Sequence, residues 1–587
     1  MLEVAKRASV RFGTTTPKTV VDFVRSFATA RADRGLYFYR EGLDGAEFLS
    51  YPALYARVAG AVDHFRAHGV RPGLPIIFPF EHDVDIIVSF FALIGMGALP
   101  LSVRPHLPGA TAASYVEFIE RLARRYQVQH LLEAESVRRL RLPLPNRVPV
   151  ASAELTSAHD PDLVDRSARE PGAIAFVQFS SGSTSFPKGV PIGHAQIMAN
   201  LAGICRIHGG NEDDVGCSWL PLYHDMGLVG SLMSSFLPLH DFHLTSPVHY
   251  LEDPVEWFAR MSRIGMQLHA MPNFGIDYCL KRLRSADPAD LQGWNLESVR
   301  AIYIGSEPIH VDHLLEFAEL LRPYGLRRSA LKPCYGMAEA VLMISSLAID
   351  EDPVIRLLPD GRKQISVGRV LPGFELRLRA ESGQLCGEGE EGEIELRGGT
   401  LASSYYDEEA SFLGSDQFYS TGDLGQIHDG LLYVTGRIGD RFKINAQSYF
   451  SSEFEQAVES LPFVRTGRSA ALPIDGRVVV LAEVDRMAAL RHLEEHRAEV
   501  SALLLTRFGV KVPSADILFI RHGQIEKTSS GKLRRNALAE RYRRGEIRLA
   551  SPTGLQLDRL RRGWARFAFK ASRVFQTSSL RRAFRSR

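Results

Sequence analysis

The sequence predicts an α/β protein, with a large N-terminal domain of several subdomains followed by a small α+β C-terminal domain. Three observations carry this. At 587 residues the chain exceeds what one hydrophobic core supports. Segments of helical period alternate with short β-rich runs through most of its length, the pattern of α/β architecture. Between about Val367 and Tyr433 the texture changes to short strands with Gly-rich turns (LPGFELRL, GEIELRGG, GLLYVTG), and after Gly436-Arg437 a mixed reading resumes to about Ile547.

The elements follow from local patterning. Leu54, Val58, Ala61, Val62 and Phe65 fall at helical spacing. Ile174–Phe179, Ile302–Ile304 and Val478–Glu483 are rich in branched residues and bounded by turns, and are predicted as strands. Ile86 to Leu101 is the most apolar run, but at 16 residues with two glycines it reads as a buried helix leading into a strand rather than a membrane span. The N-terminal MLEVAKRASVRFG lacks the apolar stretch of a secretory signal. Five scattered cysteines without a CxxC pair argue against a disulfide framework or a cysteine zinc cluster, and fit a reducing cytoplasm.

Charge is unevenly placed. The net +2 includes ten Lys or Arg and no acid from Arg559 to Arg587, which leaves about −8 for the rest. Within that tail Leu560, Trp564, Phe567, Ala571 and Phe575 share one helical face, with Arg562, Arg566, Lys570 and Arg573 on the other side. An acidic body without a recognition motif disfavours a nucleic-acid partner.

The strongest local signal is Phe179-Ser180-Ser181-Gly182-Ser183-Thr184-Ser185-Phe186-Pro187-Lys188-Gly189, directly after a predicted strand. Glycines and small hydroxylated residues let backbone N–H groups approach an anion, and Lys188 adds positive charge, so a polyphosphate suits it. It is not a Walker A loop. Taken alone it also fits a Ser-rich surface loop. Six further segments follow in order: Trp219-Leu220-Pro221-Leu222-Tyr223-His224-Asp225-Met226-Gly227, Gly305-Ser306-Glu307-Pro308, Tyr335-Gly336-Met337-Ala338-Glu339, Ser420-Thr421-Gly422-Asp423, Gly436-Arg437 and Lys527-Thr528-Ser529-Ser530-Gly531-Lys532.

Together these seven segments resemble, in order and over residues 179–532, the motifs of the adenylate-forming superfamily, which includes acyl-CoA synthetases, luciferases and peptide-synthetase adenylation domains. The resemblance implies a domain binding ATP and an acid over residues 1–437, a mobile lid domain over 438–547 that carries the catalytic Lys532, and a basic tail over 548–587. It implies ATP and Mg2+ as cofactors. Ser181, Gly182, Ser183, Thr184 and Lys188 would hold phosphates; Gly305, Ser306, Glu307, Pro308, Tyr335, Gly336 and Met337 would surround adenine. Asp423 and Arg437 would hold the ribose side, Glu339 with Thr184 the magnesium, and His224 would stand with Glu339 and Lys532 as catalytic.

Elementary chemistry agrees with these assignments. A carboxylate such as Asp423 accepts from two hydroxyls, Arg437 offers a fixed fork of donors, and Glu339 offers the hard oxygen magnesium prefers. Lys532 supplies charge where a carboxylate must approach the α-phosphate. The resemblance also implies a hinge near Arg437–Asp440, at which Gly439 would ease rotation.

Within the superfamily, Trp219–Gly227, Pro272-Asn273-Phe274-Gly275-Ile276-Asp277-Tyr278-Cys279 and Met337-Ala338-Glu339 resemble the fatty acyl-AMP ligase branch. That branch implies a fatty acid activated as acyl-adenylate with release of pyrophosphate, then passed to the pantetheine thiol of an acyl carrier protein. Met226, Gly227, Asn273 and Phe274 would contact the acyl chain, and Met198, Leu228, Phe236 and Met266 are further apolar candidates. Two departures matter. Ser185 replaces the usual Gly of the phosphate loop, and Leu347 to Ile365 leaves room for only a reduced form of the insertion tied to CoA rejection. CoA as acceptor therefore stays open, as does a non-catalytic nucleotide- or lipid-binding relative. The latter would be expected to lose Lys532, Asp423 or Glu339, and all three are present. The tail fits a carrier protein, peripheral contact at the inner membrane surface, or no partner.

Overall fold

The computed structural model describes residues 17–40, 45–106, 111–142, 144–152, 155–156, 170, 172–180, 186–359, 361–444, 447–484, 492–527 and 532–550. The chain divides into two compact units, the larger closing at Ile438 and the smaller built chiefly from Gly439 onward. No helix among the described residues is long and apolar enough to cross a membrane.

Three sheets organise the larger unit. In the first, six parallel strands lie side by side in the order Leu331–Gly336, Ala301–Gly305, Leu268–Pro272, Val215–Ser218, Asp241–Thr245 and Gly35–Tyr39. Antiparallel strands cover both edges, Glu47–Ser50 on one side and Met343–Ser346 then Arg369–Val370 on the other. Parallel strands are covered on both faces and so read as unbroken apolar runs. Ala301–Gly305 and Leu268–Pro272 are buried at every position.

The second sheet sets Asn146–Val148, His130–Leu132, Pro75–Pro79, Leu99–Val103 and Ile174–Phe179 in parallel, with Gly189–Gly193 folding back on the last. The apolar run from Ile86 to Leu101 becomes the helix Val84–Gly95, buried along nearly its whole length, and the fully buried strand Leu99–Val103. Asp83 starts that helix by accepting from the Asp85 N–H. The helix Tyr51–Ala67 is capped by Ser50 and buries Leu54, Val58, Ala61, Val62 and Phe65, the stripe its period predicts. Phe236 packs against Phe27, Tyr51 and Phe91, and Met266 is fully buried. Both are core residues.

The Gly-rich region forms the third sheet, four antiparallel strands Phe374–Arg379, Gly392–Gly398, Tyr419–His428 and Leu431–Arg437. Between Leu347 and Ile365, where the insertion is reduced, stands a short hairpin of Ile355–Leu357 and Lys363–Ile365.

In the smaller unit Val464–Ile474, Arg477–Val484 and Ile517–Ile520 form a sheet. The helices Ser451–Glu459 and Leu493–Phe508 pack through Phe454 stacked on Phe508, ring centroids 4.6 Å apart. Arg535 makes a two-pronged bond to Glu455 (2.8 and 2.6 Å) and a third to Asp440 (2.6 Å). The helix Arg535–Arg543 is thereby anchored to the beginning of the unit. Gly439 has open space where a Cβ would stand and a φ outside the left-handed region, so this conformation does not itself demand glycine.

Candidate active site

Register places the acyl-side and adenine-side segments together. Pro272 pairs with Gly305, and Ile304 with Pro333, so three neighbouring parallel strands end at nearly one level. Asn273, Ser306 and Tyr335 emerge there, at the carboxyl edge where open α/β sheets bind ligands. Glu307 reaches back to accept from the Phe274 N–H at 3.0 Å. Ser306 adopts φ +71°, an uncommon conformation for a residue with a Cβ, and its hydroxyl donates to Met226 Sδ at 3.3 Å. Pro308 follows, exposed. A Cβ on Gly227 would stand 2.2 Å from the Pro221 carbonyl oxygen, so only glycine lets this segment fold back on itself. Met226, Gly227, Asn273, Phe274, Ser306 and Glu307 thus form one cluster.

The segment Trp219–Gly227 continues from the first sheet's strand Val215–Ser218 and is tied to the second sheet. Gln178, at the end of Ile174–Phe179, donates to the Tyr223 carbonyl at 2.8 Å. His82 Nε2 bonds the Leu220 carbonyl at 2.9 Å, and burial pushes its imidazole down to about 4, so it stays neutral and donates. His224 is half-buried; its carbonyl accepts from the Leu228 N–H at 2.9 Å and its ring lies 4.6 Å from Tyr223. Leu228–Met233 then forms a π-helical turn, a geometry frequent at functional sites. Under Phe274 the Trp219 ring stacks on Tyr250 at 4.1 Å.

A second cluster gathers around Asp423. Tyr335 Oη donates to Asp423 Oδ2 and Arg437 Nε to Asp423 Oδ1, each at 2.7 Å. Asp423 and Arg437 are paired across adjacent strands of the four-stranded sheet. Burial, then the Asp423 charge, holds the Tyr335 hydroxyl well above the usual phenol range, so it remains a donor. A carboxylate has about four lone-pair sites, and these two bonds leave capacity for ligand hydroxyls.

The loop from Gly336 to Leu342 is tight. Met337 N–H donates to the Leu342 carbonyl at 2.8 Å, and a Cβ on Gly336 would meet that same oxygen at 1.9 Å. Val341 sits at φ 71°, ψ −58°, a strained conformation for a branched residue. The loop presents Glu339, half-buried, whose Oε1 accepts from Tyr405 at 3.2 Å. Lys188 Nζ lies 4.0 Å from the centre of that tyrosine ring and 3.7 Å from Glu408. Tyr405 therefore brings Lys188 and Glu339 to one place. Sequence reasoning passed over Tyr405, and it passed over Gln178 and His82 as well. Tyr405 stands in Leu401–Tyr406, held by Ala402 N–H to Glu339 O (2.9 Å) and Tyr406 N–H to Gly189 O (2.8 Å). A carboxylate such as that of Glu339 is the donor type a hard cation prefers.

Ser181, Gly182, Ser183, Thr184 and Ser185 lie outside the described residues, as does the tail from 551. Lys532 belongs to the smaller unit, where Leu533 pairs with Lys527 and Arg534 N–H donates to Glu526 O at 3.0 Å.

Comparison with known proteins identifies the family. Residues 24–406 match the family described as AMP-binding enzyme. A long-chain-fatty-acid–AMP ligase, FadD32 of Mycobacterium marinum, is 30% identical over 65% of this chain and 70% of its own length. A medium-chain-fatty-acid–[acyl-carrier-protein] ligase, JamA of Moorena producens, is 27% identical over 88% and 87%. A Caulobacter vibrioides protein named among the acyl-CoA synthetases is 29% identical over 88% and 94%. A solved structure from a study of fatty acyl-adenylate ligases of E. coli and L. pneumophila superposes with a TM-score of 0.81 at 25% identity, over 92% of this chain and 99% of that one.

Proposed function

This chain belongs to the AMP-binding enzyme family, and from that premise we propose that it joins a fatty acid to AMP at the expense of ATP and then hands the acyl group to a carrier-protein thiol. The observation that carries the reading is the juxtaposition of Asp423, held by Tyr335 and Arg437, with the Met226, Phe274 and Ser306 cluster at the ends of three parallel strands.

In the reaction so read, a carboxylate oxygen of the acid bonds to the α-phosphorus of ATP and the bond to the β-phosphate breaks, releasing pyrophosphate. No general base is needed, because the acid is already ionised at neutral pH. Asp423 accepts from the ribose hydroxyls and Arg437 fixes its orientation. Tyr335 and the Gly305–Pro308 turn border adenine. Lys188 and the phosphate loop receive the phosphates, while Met226, Gly227, Asn273 and Phe274 line the acyl side. Magnesium, held by Glu339 with Thr184, would neutralise phosphate charge. Lys532, brought in with the residue 438–547 domain, offsets the repulsion between the acid and the α-phosphate, which is catalysis by positioning and charge. His224 borders the same approach. In the second half-reaction a thiol attacks the acyl carbonyl and AMP leaves, after the smaller domain turns about the segment near Arg437–Asp440.

The carrier-protein acceptor is supported by the relationship to JamA, and CoA by the relationship to the Caulobacter protein and the reduced segment between Leu347 and Ile365. Mass spectrometry of the product formed from ATP, magnesium and mixed fatty acids tests the reading. Acyl-AMP should accumulate without a thiol and be consumed by a carrier protein; failure to form acyl-AMP overturns the proposal, and rapid conversion with CoA replaces the acceptor. The cationic tail would add contact with an anionic membrane surface. Deleting residues 551–587 should abolish co-sedimentation with anionic vesicles, and unchanged sedimentation removes that role.

A further inference from the structure

Beside the clustered loops, the beginnings of two helices bring together Asp277, His310 and His313. Asp277 lies in the helix Asn273–Leu283; His310 precedes the helix Val311–Leu321 and His313 is its third residue. Spacing of three puts both imidazoles on one side of that helix. The Asp277 carboxylate turns one oxygen to each ring, Oδ2 2.9 Å from His310 Nδ1 and Oδ1 2.8 Å from His313 Nδ1. The rings meet edge to face with centroids 5.3 Å apart, and the three groups' ligand atoms all lie within 4.8 Å of one another. Asn273 braces the cluster: its Nδ2 donates to Asp277 Oδ2 at 3.0 Å, and its Oδ1 accepts from the His310 backbone N–H at 2.9 Å.

We propose that Asp277, His310 and His313 bind one divalent cation of the zinc class, at a place separate from Glu339 and the nucleotide phosphates. Two imidazoles and one carboxylate are a donor set that Zn2+ and Co2+ take readily and that Mg2+ and Ca2+, which prefer oxygen alone, do not. Ligands bound at about 2.0–2.2 Å around a tetrahedral ion stand roughly 3.3–3.6 Å apart. Small outward rotations of the two rings from their present contacts would reach that spacing. The carboxylate comes from a side chain only 7% exposed, while the imidazoles are 20% and 32% exposed. The ion would be anchored from inside and reached from solvent, with a fourth position open to water. Asn273 is the outer brace that orients the carboxylate, the role such partners have in metal centres.

The cluster also has a place in the architecture. Asn273 and Phe274 open the helix that carries Asp277, and the Gly305–Pro308 turn leads directly to His310. An ion here would fasten the acyl-side segment to the adenine-side turn, in addition to the Phe274–Glu307 bond.

The test needs no catalysis. The full chain, stripped with chelator and freed of it, is titrated without ATP, with Co2+ followed by visible absorption and with Zn2+ by calorimetry. One ion should bind per chain. His313→Gln should weaken binding at least tenfold with an unchanged circular dichroism spectrum and melting temperature, and Asp277→Asn at least as much. Glu339→Gln should bind as the unaltered protein does. Absence of a saturable ion, or equal affinity in His313→Gln, would mean that the three side chains form only a hydrogen-bonded ion network, and overturns the proposal.

Discussion

Asp423 shows at the scale of one residue how a binding group is prepared. Its side chain is largely buried, yet both oxygens are engaged, one by a phenol and one by a guanidinium. Such partners fix the carboxylate before a ligand arrives and offset the cost of burying its charge. Tyr335→Phe removes one donor to a charged group, a loss of about 1.5–3 kcal/mol. ATP should therefore bind roughly tenfold to a hundredfold more weakly by calorimetry, and an unchanged affinity would detach Tyr335 and Asp423 from the ribose site. Lys532→Ala separates catalysis from binding. Loss of a positioned charge of this kind costs about 10²–10³ in rate. Pyrophosphate release should fall by that factor while ATP affinity stays within about twofold. A defect confined to thioester formation would reassign the lysine.

At the scale of the element, the loop Gly336–Leu342 is strained. Gly336 passes so close to the Leu342 carbonyl that a methyl group has no room, and Val341 is held in a conformation that branched residues avoid. Gly336→Ala must open the loop and shift Glu339. Adenylate formation should drop at least tenfold, with a melting temperature lowered by several degrees; normal activity would show that the placement of Glu339 is not exacting. This loop also marks where the sequence stops being legible. Motif order, the helix at 51–67 and the buried helix and strand around Ile86–Leu101 follow from local composition and period. The glycine at 336 belonged to a recognisable motif, but the oxygen it must avoid belongs to Leu342, after a strained turn that no pattern announces. Tyr405 is harder still. Its partner Glu339 is 66 residues away, and its own segment carries no motif, so only the folded chain reveals it. Asp277, His310 and His313 were missed for the same reason, although the spacing of the two histidines was open to view.

At the scale of the whole larger unit, stability should depend on a set of buried neutral histidines. Burial pushes His82, His194 and His269 down to about 4, and His208, His240 and His243 to about 3, against 6.5 for the free side chain. The sign follows from proton counting. Above pH 6.5 neither folded nor unfolded chain protonates these rings, and their contribution is intact. As pH falls below 6.5 the unfolded chain takes up protons that the folded chain refuses until about pH 4 or 3, so stability declines through that window. Each histidine contributes up to about 1.4 kcal/mol per pH unit. Buried acids such as Glu81, whose carboxyl is raised by burial, act in the opposite sense, so the net slope mixes both. His82→Gln isolates one term, because glutamine keeps a donor for the Leu220 carbonyl and removes the titration. Denaturant midpoints of the two proteins should differ least at pH 7.5. The variant should gain on the unaltered protein progressively between pH 6.5 and 4.5. A constant stability difference across the range would mean that His82 takes up its proton as readily in the folded chain as in the unfolded one, and that the acid sensitivity of this unit has another source.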